Sequence, residues 1–133
     1  MKLAVIMRGL PGSGKSTRAR LIAGRNGIIC AADDFFLEED GETNFSGPMV
    51  PEAHAGNVLA FQCALMLGVE IVVCDNTNIK HEEYEPYVRM AEEAGYKVAI
   101  IAMPHPSPEE MAERNTHGVP GCTLNKMFSR WED

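Results

Sequence analysis

The chain has 133 residues, of which 45% are hydrophobic and 23% charged, the composition of one ordinary globular domain. That length holds one sheet covered by helices and excludes a catalytic domain with a separate accessory domain, so residues 1–133 are read as a single unit. A net charge of −7 at pH 7 argues against a broad, sequence-blind grip on duplex nucleic acid, but is compatible with a local basic pocket for one or two phosphates.

Leu3-Ala4-Val5-Ile6-Met7 is a continuous apolar run, as expected of a parallel strand buried on both faces. A glycine-rich turn follows. Residues 16–25 then read as a helix closed by Asn26-Gly27. Residues 28–31 predict a short second strand that ends at Asp33-Asp34, and the polar stretch 38–48 predicts a loop. Pro51 suits the first turn of a helix and Gly68 its end, with Val58, Leu59, Phe61, Leu65 and Met66 as its apolar face. A third strand over 69–74 leads to Asp75, and Asn76-Thr77-Asn78 predicts a turn. The next helix shows Tyr84, Tyr87, Val88, Ala91 and Ala94 on one face, with Pro86 either in its first turn or kinking it.

Residues 97–103 predict a fourth strand. Ser107-Pro108-Glu109-Glu110 carries the cap, proline and acidic residues of a helix start. Residues 114–121 read as a loop, and a last helix runs to about Trp131. Alternating strands and helices imply an α/β three-layer sandwich. The expectation is a mostly parallel four-stranded sheet of order 2-3-1-4, a small lid, and an active edge at the strands' C-terminal ends.

Cys30, Cys63, Cys74 and Cys122 lack metal-ligand spacing and read as buried reduced thiols of a cytosolic protein, with Cys30 and Cys74 ending neighbouring strands where an adventitious disulfide is the alternative. Lys2 is followed by only five apolar residues before Arg8, too few for a signal peptide, and no apolar run nears the ~20 residues of a membrane span. The expected compartment is the cytoplasm.

The run Gly9-Leu10-Pro11-Gly12-Ser13-Gly14-Lys15-Ser16-Thr17 matches G-x-x-x-x-G-K-[ST]. Its glycines let successive backbone N–H groups turn toward phosphate oxygens, and the following helix presents its positive end to the same anion. Lys15 is expected to reach the β- and γ-phosphates of ATP, Ser16 to ligate Mg²⁺, and Thr17 to touch the α-phosphate. The strand–turn–helix context separates this run from a chance glycine-rich turn.

Asp33 and Asp34 should share the sheet edge with Asp75. Phosphoryl transfer needs a carboxylate to accept the acceptor's proton and another on the metal side. Asp33 is assigned the base, with Asp34 as its substitute, and Asp75 the metal side. Turn chemistry or helix capping is the plainer explanation for any one strand-end Asp, but three beside one cradle favour a site. Arg114 begins the loop expected to cover the phosphates, where it would meet the charge that spreads during transfer. His117 in that loop has no assigned role. Glu52, His54 and Asn57 could line an acceptor pocket or form an ordinary polar helix start.

The ordered series of the cradle, Asp33-Asp34-Phe35-Phe36, Glu52-Ala53-His54, Asp75-Asn76-Thr77-Asn78, Pro86-Tyr87-Val88 and Arg114-Asn115-Thr116-His117-Gly118-Val119-Pro120 resembles the short P-loop kinase domains related to the 5′-kinase half of bacteriophage polynucleotide kinase. The resemblance spans nearly the whole chain. It implies that Asp33 is the general base, that Arg114 touches ATP phosphates, and that Asp75, Thr77 and Asn78 form the family's Asp-x-Thr-Asn turn. The polynucleotide kinase carries an Arg for the acceptor's phosphate where this chain has Phe36. The chain is also similar to phage kinases that phosphorylate a hydroxymethylated pyrimidine within DNA, and Phe35 and Phe36 could face an extruded base. DNA or RNA is therefore the implied acceptor. A small-metabolite or nucleoside kinase is the alternative, favoured by the negative charge, and a non-catalytic nucleotide-binding module is a second. A regulatory GTPase is disfavoured, because no D-x-x-G follows the cradle and Asn125-Lys126 lacks the Asp that reads guanine.

Overall fold

The computed structural model describes residues 2–10, 13–32, 50–104 and 129–132, with the backbone alone described at 50–53. Strand β1 is Leu3–Arg8, helix α1 Lys15–Ala23, β2 Ile28–Cys30, α2 Val50–Met66, β3 Ile71–Asp75, α3 His81–Glu93 and β4 Lys97–Ala102. The four strands form one sheet of order β2-β3-β1-β4, and all three pairings are parallel. The expected order is the observed one. Met7 lies opposite both Asp75 and Ile101, so the strands' C-terminal ends finish nearly level and present one edge.

The sheet is covered on both faces, which is why its central strands lack polar alternation. Ala4, Ile6, Val72 and Cys74 pack on one face with Phe61, Ala64 and Leu65 of α2 and Tyr84, Tyr87 and Ala91 of α3. Val5, Met7 and Val73 pack on the other with Ala19 and Ala23 of α1. The ring of Phe61 meets that of Tyr87 edge-on at 5.1 Å, joining the two helices on one face. Tyr96 follows α3, and its hydroxyl donates to the Val69 carbonyl at 2.7 Å, so the chain entering β4 is tied to the chain entering β3.

Both α2 and α3 end in the same device. After α2, Gly68 donates to Leu65 and Val69 to Ala64; after α3, Gly95 donates to Glu92 and Tyr96 to Ala91. These are Schellman closures, which satisfy the last carbonyls while turning the chain into the next strand. At the other end of α3, the Glu83 carboxylate accepts the Lys80 N–H at 2.7 Å.

Several expectations need correction. Helix α1 starts at Lys15 and stops at Ala23, so Arg25 lies beyond it. Strand β3 starts at Ile71 rather than Val69. Pro86 is the sixth residue of α3, in its second turn, where the missing N–H leaves the Glu82 carbonyl without its usual helical donor. Leu59 and Met66 do not join the buried face of α2; they are 61% and 80% exposed, while Ala64 takes a core position. Cys63 is exposed too, and Cys30 and Cys74, opposite one another on neighbouring strands, are buried thiols not joined by a disulfide. The helix expected after residue 107, the loop 114–121, Cys122 and most of the last helix lie outside the described residues. Among the described residues no helix is long and apolar enough to cross a membrane.

Candidate nucleotide-phosphate site

The sheet's C-terminal edge gathers every buried polar or charged residue described except Asn57: Arg8 and Lys15 beside the turn after β1, and Asp75, Asn76 and Asn78 at the end of β3. Buried polar groups are costly unless bonded, so their concentration on one edge of an otherwise apolar sandwich marks that edge out.

The cradle grows out of β1. The Gly9 N–H donates to the Thr77 carbonyl at 3.0 Å, and Met103 donates to the Arg8 carbonyl at 2.8 Å, so the strand's exit is held from both neighbouring strands. A Cβ at Gly9 would lie 2.6 Å from the Ser13 Oγ and 3.2 Å from the Met103 Cβ, so a side chain there would need Ser13 to turn aside and Met103 to give way. Leu10 is fully buried and anchors the turn, and its carbonyl accepts the Ser13 N–H at 3.1 Å. Gly14 stands at the head of α1 with φ of 85°, a left-handed conformation that glycine adopts without strain. The first turn of α1 thus opens toward the cradle with its N–H groups free of side-chain caps.

Lys15 is the first residue of α1, and its Nζ lies 2.7 Å from the Asp75 Oδ1. Both side chains are over nine-tenths buried. The two residues that the sequence assigned to the phosphates and the metal are therefore in direct contact across 60 positions of chain. Ser16 is half-buried and Thr17 exposed. The Ser13 Oγ is buried without a hydrogen-bond partner among the described residues. Pro11 and Gly12 of the cradle lie outside the described residues, as do Asp33, Asp34, Phe36, Arg114 and His117.

The remaining expected residues divide. Asn78 is buried at φ of 48°, and its amide donates to the Met7 carbonyl at 2.7 Å, so its side chain holds the turn after β3 against β1. Thr77 is half-buried and contributes its carbonyl to Gly9. His54 is exposed on α2; Glu52 lies on the same helix, its side chain outside the described residues. Asn57 is fully buried and donates to the Tyr87 hydroxyl at 3.1 Å and, more weakly, to the Cys30 carbonyl at 3.4 Å; it lines an open, mostly apolar hollow between β2 and α2 with Cys30, Ala31 and Ala60.

Sequence reasoning missed a network here. The Asn76 Oδ1 accepts the Ala32 N–H at 2.8 Å, and its amide donates toward the Tyr87 hydroxyl at 3.4 Å. Asn76 therefore fixes the last described residue before Asp33. Burial pushes the Tyr87 hydroxyl up to about 12, aided by Cys74, and burial also raises the Cys74 thiol far above its ordinary range. Neither group ionises near neutrality. Arg8 was missed as well, although a charged residue closing an apolar strand just before the motif was a usable signal.

The family pattern described as an AAA domain matches residues 5–117. Human NEDD4-binding protein 2 is 34% identical over 96% of this chain, which corresponds to 8% of that protein. A 2′,3′-cyclic-nucleotide 3′-phosphodiesterase of Pongo abelii is 31% identical over 98% of this chain and 28% of that protein. The chain thus spans under a third of the length of either relative. Among solved structures, the Pnkp1/Rnl/Hen1 RNA repair complex contains a chain that superposes with a TM-score of 0.71 at 20% identity, covering 97% of this chain and 43% of that one. The sheet order, the cradle and these matches agree with the resemblance to the 5′-kinase half of bacteriophage polynucleotide kinase, and the chain belongs to the AAA-domain family with a P-loop kinase-like fold.

Proposed function

We propose that this chain is an ATP-dependent kinase that transfers the γ-phosphate to a hydroxyl of a nucleic acid, either a polynucleotide 5′-hydroxyl or the hydroxymethyl group of a modified pyrimidine. The observation that carries this reading is the buried contact of Lys15 with Asp75 at the mouth of a cradle that opens α1. A lysine and a carboxylate held together there suit one phosphate group and one cation. The motif series that leads from the cradle through Asp33 to Arg114 supports a kinase over a passive binding module. A 31% identical relative whose name assigns it a cyclic nucleotide supports an acceptor of nucleotide type.

In this reading the backbone N–H groups at the head of α1, from Gly14 to Thr17, bind phosphate oxygens and Lys15 reaches the outer phosphates. Ser16 and Asp75 offer hard oxygen donors, the kind that Mg²⁺ takes, and would hold it. When bound, Mg²⁺ would neutralise charge on the phosphates. Asp33 takes the proton from the acceptor hydroxyl, and Arg114 meets the charge that develops in transfer.

The test is transfer of labelled γ-phosphate to 5′-hydroxyl oligonucleotides, hydroxymethylpyrimidine DNA, nucleosides and small sugars. Transfer to either nucleic acid supports the proposal. Asp33→Asn should then cut transfer ~10²–10⁴-fold while ATP still binds, and Asp34→Asn should act more mildly. Transfer only to nucleosides or sugars establishes the small-metabolite alternative, and ATP binding without transfer establishes the binding module.

A further inference from the structure

Arg8 is the last residue of β1, one position before the cradle, and the proposed chemistry does not use it. It is 5% exposed. Its Nε donates to the Asn78 carbonyl at 2.9 Å, and its Nη2 donates to the Ile79 carbonyl at 3.0 Å and to the Glu132 carbonyl. The guanidinium carbon lies 4.9 Å from the centre of the Tyr84 ring and 4.6 Å from that of Trp131. Ring faces attract a planar cation, and a fork of donors can serve diverging carbonyls at once.

These partners belong to two pieces of chain. Asn78 and Ile79 follow Thr77, whose carbonyl receives the Gly9 N–H. Trp131 and Glu132 belong to the C-terminal segment, which is itself tied down. The Glu132 N–H donates to the Ile79 carbonyl at 2.9 Å, and the Glu132 carboxylate accepts the His81 N–H at 2.7 Å, at the head of α3. The turn after β3, the start of α3, the C-terminal segment and the root of the cradle thus meet in one knot with Arg8 at its centre.

We propose that Arg8 is a positioning residue of the phosphate cradle, and that Trp131 and Glu132, up to 124 positions away in sequence, belong to the nucleotide-binding unit through it. The proposal rests on the nucleotide-binding reading of the cradle. Anion affinity there depends on where the N–H groups at the head of α1 point, and the turn that aims them starts at Gly9, which shares its peptide bond with Arg8. A shift of the Arg8 side chain turns that peptide and loosens the bond from the Gly9 N–H to the Thr77 carbonyl, which fixes the root of the cradle. A lysine would keep the charge but lose the planar fork and the double stacking.

The experiment compares ADP affinity by calorimetry in the full chain and in Arg8→Lys, Arg8→Met, Trp131→Ala and the Arg8→Met/Trp131→Ala pair. Measurements are made well below each thermal midpoint. Arg8→Lys and Arg8→Met should each weaken ADP about tenfold, and Trp131→Ala about threefold. The double variant should bind no more weakly than Arg8→Met alone, because both changes act through one clasp. Trp131 is only half-buried, so its variant keeps the test open even where Arg8→Met does not fold. Lower thermal midpoints with unchanged ADP affinity would make Arg8 a purely structural residue and overturn the proposal, as would additive losses in the double variant. Absence of ADP binding in the unaltered chain would overturn the nucleotide reading as well.

Discussion

Lys15→Met should destabilise the nucleotide-free protein, and Asp75→Asn should restore much of what it loses. The Lys15 and Asp75 side chains are 9% and 6% exposed and lie 2.7 Å apart. Removing one member of such a pair leaves the other charge buried without its partner, at a cost of about 3–5 kcal/mol. Replacing both removes two desolvated charges together, and the pair's own net worth is small. For a domain of this size 1 kcal/mol moves the thermal midpoint by about 4 °C, so Lys15→Met should melt roughly 12–20 °C lower. The Lys15→Met/Asp75→Asn protein should regain more than half of that. Urea unfolding of the four proteins closes the cycle, and a coupling of at least ~2 kcal/mol is expected. Single losses under about 1 kcal/mol, or losses that add, would mean that the two groups do not share a buried contact in solution.

The same pair predicts opposite effects on two ligands. In Asp75→Asn the ammonium of Lys15 is released from its partner, so metal-free ADP should bind more tightly by calorimetry, while Mg²⁺-dependent transfer from ATP should fall. Tyr87→Phe should cost about 1–3 kcal/mol in urea unfolding, because the hydroxyl meets the buried amides of Asn57 and Asn76. The Glu132 carboxyl is held below its ordinary range, chiefly by the His81 N–H, so its contribution is present above that range and lost as pH falls through the lowered value. Emission from Trp131, the chain's single tryptophan, should report that loosening on acidification, and Glu132→Gln should flatten the change.

The sheet order was legible because its evidence is redundant. Four apolar runs, each leading to a polar turn, leave few ways to wind a parallel sheet, and the cradle names the strand that precedes it. Helix α2 was harder to read. From Val58 to Met66 it carries no charge, and a helix apolar nearly all round gives periodicity no contrast, so Leu59 and Met66 were assigned to a core they do not enter. Asn57, Asn76 and Asn78 failed differently. Asn76 and Asn78 read as turn chemistry after a strand and Asn57 as a pocket residue or polar helix start, and only burial shows that all three bond scaffold groups. That Lys15 and Asp75 share one edge was legible because motif and topology each placed them there independently.

The two buried cations beside the cradle are held by opposite means, and the difference suits different tasks. Arg8 is fixed by three main-chain carbonyls and two rings, none of which can leave without unfolding a turn or freeing the C-terminal segment. Lys15 is paired to a single carboxylate on the next strand. An ammonium on a flexible stem can exchange that partner for a phosphate, whereas a stacked guanidinium bonded to backbone cannot. Desolvation makes an unpaired charge at either position costly, so each needs a partner when no ligand is present. In the proposed reading Asp75 fills that need for Lys15 in the empty site and turns to the metal side when phosphate arrives. Arg8 keeps the same partners throughout. On this argument a substitution at Lys15 acts on what the cradle binds, and one at Arg8 acts on where the cradle is.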